Sequence, residues 1–403
     1  MKAAAILALN AGSSSIKFAL FEVCDGPELR LMSRGGIEGV GADPHFTAAD
    51  ADGSVLEDTH WRGKDAQFDA MLAALLAWAE RHVQPDTLAA VGHRVVHGGR
   101  RFADPVRLTA DIVKQLDALT PLAPLHQPHS LAPIRTLMAL RPALPQVACF
   151  DTAFHRTMPA VATRFALPRA YEAEGVRRYG FHGLSYEYIA RALWREAPTL
   201  AAGRVVVAHL GNGASLCAMQ DGKSQDTTMG FTALDGLVMG TRCGTLDPGV
   251  VLYMLQHQRL GAREVEQLLY ERSGLLGVSG LSGDMRTLLA STNAHAREAV
   301  ELFAFRIGQH TAMMAASMGG LDGFVFTGGI GEHATQIRSL VCERLHWLGV
   351  ALDVASNTRG AGRISTPGSR VEVRVIPTDE EATIARHTHD TLSKVPSGRM
   401  TTA

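Results

Sequence analysis

Two polar turns in this chain carry residue types that hold phosphate. One lies in "NAGSSSIKF" (residues 10–18), after the apolar run "AAAILAL" and before "ALFEV"; the other lies in "HLGNGASL" (residues 209–216). Glycines there let the backbone bend and approach a ligand, while serine hydroxyls and exposed main-chain N–H groups donate to phosphate oxygens. A third turn, in "VFTGGIGEHATQIRSLVCERL", runs from an apolar strand through Gly328, Gly329 and Gly331 into a helical pattern. A helix N-terminus at that point favours phosphate or ribose. Read singly, either hairpin is better taken as an ordinary one with a solvated tip, and a tight strand-to-helix connection is a reasonable reading of the third turn. The recurrence favours two hairpins gripping one polyphosphate. Neither hairpin fits GxxxxGK(S/T) or a GxGxxG after a strand, so the two commonest nucleotide motifs are absent.

The elements around the turns repeat as well. "ILALNAGSSSIKFALFEVCDG" and "VVVAHLGNGASLCAMQDGK" share one grammar: apolar strand, Asn/Gly/Ser turn, apolar strand, then a turn on Asp-Gly. Short apolar runs such as "RVVVAHL", "QVACF", "GFVF" and "VEVRVI" alternate with helix-period segments. Phe68, Leu72, Leu75 and Ala79 mark one helical face, and Val300, Phe303, Ile307 and Met314 another. The alternation predicts an α/β protein with helix-covered sheets. The final "KVPSGRMTTA" reads as frayed.

With 403 residues, the chain exceeds one usual core and predicts two domains. Lys+Arg 39 against Asp+Glu 40 gives no electrostatic reason for nucleic acid or an anionic membrane as partner, so an anion site must be local. The five cysteines (Cys24, Cys149, Cys217, Cys243, Cys342) lack C-x-x-C spacing, which argues against a disulfide framework or zinc site and for a reducing cytoplasm. No apolar run approaches the roughly 18 residues of a membrane span, and no signal-peptide pattern is seen. A soluble, non-exported cytoplasmic protein is the expectation.

The paired hairpins and late glycine-rich turn resemble the acetate and sugar kinase, heat-shock chaperone and actin superfamily. Within it the chain resembles the acetate kinase family over nearly its whole length, through "GHRVVHGG", "PLAPLH", "FDTAFH", "RRYGFHGLS", "HLGNGAS", "MGFTALDGLVMGTRCG", "SGLLGVSGLSGDMR", "FTGGIGE" and "IPTDEE". The resemblance implies an actin-like ATPase fold of two duplicated ribonuclease-H-like domains with an interdomain active-site cleft. It implies the reaction ATP + acetate ⇌ ADP + acetyl phosphate by direct in-line transfer, with Mg2+ or alternatively Mn2+, in a homodimer. Propionate or butyrate as acceptor is the runner-up, and a non-metabolic actin-like ATPase a more distant one. Domain limits are placed at 1–150 plus 383–403 and at 151–382.

Bringing a carboxylate to a polyanion calls for charge neutralisation and alignment. By resemblance Arg94 binds the carboxylate or transferring phosphoryl, and His182 and Arg242 stabilise the transition state; an Arg fork suits planar oxygen recognition. Asp151 is assigned to catalysis by the family. Because a carboxylic acid of pKa near ~4.3 is already ionised at neutral pH, orienting Arg94 or metal-bound water is the role expected of it, rather than proton abstraction. Asn10 and Glu380 match the metal positions. Thr378 and Glu381 have capping-box spacing, which gives Glu381 a structural job. Lys17, Ser13 and Ser15 from the first hairpin, His209, Leu210, Gly211, Asn212 and Gly213 from the second, then Asp284, Met285, Arg286, Gly329, Ile330, Gly331, Glu332 and His333 match nucleotide contacts. Ser185 reads equally as an N-cap. Val96, Leu125, His126, Phe181 and Ala233 match the small pocket for the acetate methyl. The chain departs from the family at Ala233 (commonly Pro), Gln127 (Asn), Tyr186 (frequently His) and His333 (frequently Asn). The smaller Ala233 predicts better acceptance of propionate.

Overall fold

The computed structural model describes residues 4–12, 15–24, 28–83 and 87–393. Ser13, the Asp25-Gly26 turn and the tail from Lys394 lie outside the described residues. The chain divides into two compact units, residues 1–153 with 379–403 and residues 154–378. Asp151 and Glu380 therefore belong to the first unit, whereas the sequence limits had placed both in the second. The strand before Asp151 runs on into the turn that carries it, and Asp379 begins the C-terminal helix.

In the first unit, β1 (Ala5–Ala11), β2 (Ser15–Val23), β3 (Leu29–Glu38), β4 (His45–Asp50), β5 (Val55–His60), β6 (Leu88–Val95), β7 (Val106–Arg107) and β8 (Gln146–Phe150) form one sheet in the order β5-β4-β3-β2-β1-β6-β8-β7. In the second, β9 (Arg204–Leu210), β10 (Ala214–Gln220), β11 (Lys223–Thr227), β12 (Gly323–Thr327) and β13 (Glu372–Val375) form another, ordered β11-β10-β9-β12-β13. The strings β3-β2-β1-β6-β8 and β11-β10-β9-β12-β13 have the same senses: an antiparallel meander followed by two parallel strands. The repeated sequence grammar is thus a repeated ribonuclease-H-like topology.

The first hairpin pairs Ala11 with Ile16 and Asn10 with Lys17, and Gly12 N–H donates to Ser15 O at 2.8 Å. The second pairs Leu210 with Ala214 and closes with Gly211 N–H to Gly213 O at 3.0 Å. Helix Phe68–Arg81 buries Leu72, Leu75 and Ala79 of its predicted face, with Met71, Leu76 and Trp78, against Leu7, Leu9, Phe18 and Leu20 of the sheet. Phe68 is only partly buried at the edge of this core. Val300, Phe303, Ile307 and Met314 are all buried in the long helix Ala294–Met318. β9 and β10 are covered on both faces, so their apolar runs are nearly continuous rather than alternating.

The C-terminal helix Glu380–Ser393 packs against β1, β6 and β8 of the first unit. Its cap corrects the sequence reading. Asp379 Oδ1 accepts the Ala382 N–H at 2.8 Å, so the cap sits one residue later than Thr378 and no Thr378–Glu381 box forms. All five cysteines are free thiols. Among the described residues, no helix is long and apolar enough to cross a membrane.

Gly92 of β6 lets this helix approach: a Cβ there would lie 2.2 Å from Thr388 Oγ1 and 2.6 Å from Ile384 Cγ2. Gly92→Ala should therefore lower the stability of the first unit by about 1–3 kcal/mol in urea unfolding, the cost of overpacking a closed contact.

Candidate active site

Parallel strands that end side by side bring the first group of polar residues together. β1 pairs in parallel with β6, and β6 with β8, so Asn10, Arg94 and Asp151 emerge at one edge of the first unit's sheet. Arg94 donates from Nε at 2.9 Å and Nη2 at 2.6 Å to Asp151 Oδ2, and from Nη1 to Asn10 Oδ1 at 3.2 Å. The start of the C-terminal helix adds two carboxylates: Asn10 Nδ2 donates to Glu380 Oε2 at 2.9 Å and to Glu381 Oε1 at 3.2 Å. Glu380 Oε2 lies 4.0 Å from Arg94 Nε.

Burial by itself disfavours the charge on Arg94, but Asp151 and then Glu380 outweigh it and hold the guanidinium above its ordinary range. Asp151 is 1 % exposed. Burial, followed by the neighbouring charge of Glu380, pushes the Glu381 carboxyl up, while Lys17 across the hairpin acts against the shift. Glu381 is thus part of this cluster, a place the sequence did not give it. The signal was the adjacent pair of glutamates in "IPTDEE", which capping-box spacing obscured.

Val96 lies two residues after Arg94 and is 4 % exposed. The next residue is locked by Gln127: its Oε1 accepts the His97 N–H at 3.1 Å, and its Nε2 donates to His97 O at 3.1 Å and to Leu116 O at 3.0 Å. Leu125 and His126 are half-buried immediately before the helix Gln127–Leu140. The other two methyl-pocket candidates, Phe181 and Ala233, belong to the second unit.

In the second unit, glycine at the hairpin tip admits two cationic or hydrogen-bonding side chains. A Cβ on Gly213 would lie 2.9 Å from Arg242 Nη2 and 3.3 Å from His182 Nε2. Arg242 Nη1 donates to Ala233 O at 2.7 Å. His182 occupies the N-cap of helix Gly183–Glu196, so Ser185 is inside the first turn rather than at the cap and instead meets His209 Nδ1 through its Oγ at 2.8 Å.

A cavity of about 660 Å³ opens beside the same tip, lined by Gly211, Asn212, Asp284, Met285, Arg286, Gly329, Ile330 and His333, and also by Gly283, Leu289 and Ala334. Asp284 caps helix Met285–Ala290 through the Arg286 N–H at 2.8 Å and pairs with Arg286 Nη2 at 2.9 Å. That hydrogen bond holds the Asp284 carboxyl below its usual range. Leu210 and Gly331 are buried beneath the lining rather than in it. Glu332 is engaged with the framework: its Oε1 accepts Gly328 N–H at 2.8 Å and Thr378 N–H at 3.2 Å. The third turn rests on a residue the sequence reading missed. Arg338, 1 % exposed, donates from Nη1 to Gly331 O at 3.0 Å and Glu332 O at 2.6 Å, and from Nε to Asn357 Oδ1 at 2.6 Å.

The side-chain oxygens of Asn10, Glu380 and Glu381 are the ligand type of a hard divalent cation. Among the described residues, no group of three or more His, Cys, Asp or Glu could hold a metal unaided. An ion such as Mg2+ takes one or two protein oxygens and completes its shell with phosphates and water.

Chemically, the first unit offers an oriented guanidinium, and the second a cavity beside a glycine hairpin tip that Arg242 and His182 also approach. Comparison with known proteins gives the family. The model of the "Acetokinase family" matches residues 5–386. The chain is 58% identical over 386 residues to a protein named acetate kinase from Rhodopseudomonas palustris, covering 95% of this chain and 97% of that one. Among solved structures, Porphyromonas gingivalis acetate kinase is similar at 36% identity and TM-score 0.85, covering 96% of this chain and 100% of that one. A propionate kinase from Francisella tularensis is similar at 36% identity and TM-score 0.87, covering 96% and 99%. The chain belongs to the acetokinase family and is a phosphotransferase with a carboxyl group as acceptor.

Proposed function

We propose that the acceptor is acetate, that ATP with magnesium is the donor, and that the phosphoryl group passes directly between them. The observation that carries this reading is Arg94, a half-buried forked cation fixed by Asp151 and Asn10, two residues before the apolar Val96. Three of its five N–H groups are engaged in the cluster, and the other two suit the paired oxygens of a small carboxylate. An acetate oxygen forms its bond to the γ-phosphorus as the bond to the β–γ bridging oxygen breaks, and ADP leaves with that electron pair. No proton needs to move, so the role assigned to Asp151 is to hold Arg94 in plane.

Asn10 and Glu380 are the residues that would hold the metal, with Glu381 beside them. Bound magnesium would neutralise phosphate charge. Lys17, Ser15 and the two hairpin amide sets are assigned to the phosphates, and the cavity of Gly211, Asp284 to Arg286, Gly329, Ile330 and His333 to the nucleoside. Arg242 and His182 are assigned to the equatorial oxygens of the transferring group, where charge is greatest. A homodimer is supported by helix Pro248–Gln256, which is rich in apolar residues yet buries none of them in this chain: Leu252 is 52 % and Tyr253 54 % exposed.

Purified protein given ATP, magnesium and acetate should yield acetyl phosphate, trapped as the hydroxamate. Nucleotide binding without acyl phosphate would overturn the reading. Arg94→Lys keeps the charge but loses the fork and should lower kcat/KM for acetate by about 100-fold or more. Propionate carries one methylene more, worth roughly 1–3 kcal/mol in a pocket. Ala233→Pro should therefore reduce the propionate-to-acetate ratio of kcat/KM, and an unchanged ratio would remove Ala233 from acyl selection. Leu252→Glu should convert the dimer to monomer in light scattering, with the far-ultraviolet spectrum unchanged.

A further inference from the structure

His182 has φ 59° and ψ 23°, a left-handed conformation that residues with a side chain seldom adopt. The backbone before it is pinned from behind. Buried His155 meets Ser224 Oγ through Nδ1 at 2.9 Å and Phe181 O through Nε2 at 2.9 Å; since a carbonyl only accepts, Nε2 of His155 carries the hydrogen. So held, the His182 ring stacks on His209 with centroids 4.3 Å apart and places Nδ1 2.8 Å from Ser215 Oγ. Ser215 Oγ is in turn 2.5 Å from the hydroxyl of Tyr186, one turn further along the same helix and 0 % exposed.

The hydrogens along this chain have a preferred direction. Burial keeps Tyr186 protonated, and the main-chain amide of His209 bears on its oxygen. The phenolic hydrogen therefore goes to Ser215, whose own hydrogen is left for His182 Nδ1. We propose that Tyr186, acting through Ser215, is a positioning residue that fixes His182 as the neutral imidazole with its hydrogen on Nε2, the nitrogen beside Gly213 and Arg242. The inference deepens the assignment of His182 to the transferring group and rests on it for its catalytic consequence.

The groups facing His182 agree with a neutral ring. Arg242 shares the hairpin tip with it, His209 lies flat against it, and Tyr186 and Ser215 occupy its other edge. A second cation next to Arg242 would be disfavoured. A neutral Nε2–H donor still serves a phosphoryl oxygen, and does so without depending on pH above the ordinary histidine range.

The test is ring nitrogen NMR of the full chain labelled with 15N-histidine, which needs no turnover. In the wild type, His182 should show the Nε2–H tautomer from pH 6 to 8 with no titration above the ordinary histidine range. In Tyr186→Phe, Ser215 becomes able to accept from Nδ1–H; the ring should shift to that tautomer or to imidazolium, and its titration midpoint should rise by about one pH unit. The sign follows from removing a donor that stabilises the neutral form. The kcat of Tyr186→Phe should then fall as pH rises through the new midpoint, where the wild type stays flat, and Tyr186→His should restore the Nε2–H signal. Ser215→Ala is read in the same way should the phenylalanine variant not fold. An Nδ1–H tautomer in the wild type, or an unchanged ring signal and pH profile in Tyr186→Phe and Ser215→Ala, overturns the proposal. Absence of acyl phosphate from wild-type protein would instead sink only the proposed acceptor, leaving the tautomer question decided by NMR.

Discussion

A guanidinium that is largely withdrawn from water keeps its charge only if anions are built around it, and Arg94 shows what that requirement does to a fold. Asp151 must reach it from the end of β8, Asn10 from the end of β1, and Glu380 from the beginning of a helix hundreds of residues away. Parallel pairing of β1, β6 and β8 solves the first two demands, because strands running the same way finish at the same edge. The cluster is costly to desolvate and adds little to stability on balance. Its return is a rigid cation whose remaining donors are already aimed, so little reorganisation is left for the moment a ligand arrives.

The second unit meets a different demand with the same topology. There the hairpin tip is Gly211-Asn212-Gly213, and small residues leave space that Arg242 and His182 fill from neighbouring loops. Gly240 is equally confined: a Cβ on it would lie 2.0 Å from Asn212 Oδ1, so the tip is set by what cannot be added as much as by what is present. At the third turn, Arg338 gives its hydrogen bonds to carbonyls and an amide rather than to a carboxylate, tying the Gly331-Glu332 backbone to Asn357. Such a cation is sensitive to loss, since burial already lowers its pKa from the ordinary value.

Much of this was legible in the residues. "QVACF" and "RVVVAHL" coincide with β8 and β9, and the helix face of Val300, Phe303, Ile307 and Met314 is buried throughout. The repeated hairpin grammar corresponds to the repeated strand order, because turn chemistry and apolar alternation are local properties. What spacing could not reveal depends on competition between near neighbours. Thr378 and Asp379 both suit a helix cap, and the one that wins leaves Glu381 turned towards Asn10. Ser185 suits a cap too, but the left-handed His182 starts the helix earlier. Tyr186 meets Ser215, 29 residues on, and Arg338 turns back to Gly331 and Glu332 and forward to Asn357; a buried tyrosine or arginine on a helix gives no local sign of which carbonyl or hydroxyl it will meet.

The C-terminal helix has a temporal meaning as well as a spatial one. The unit from Phe154 to Thr378 is continuous in sequence and can complete itself as soon as it leaves the ribosome, whereas the other unit must wait for the segment from Asp379 onward, made after it. Until Glu380–Ser393 emerges, the faces of β1, β6 and β8 that it covers stand bare and Asn10 lacks its two carboxylate partners. A chain cut before this helix cannot assemble the full cluster around Arg94.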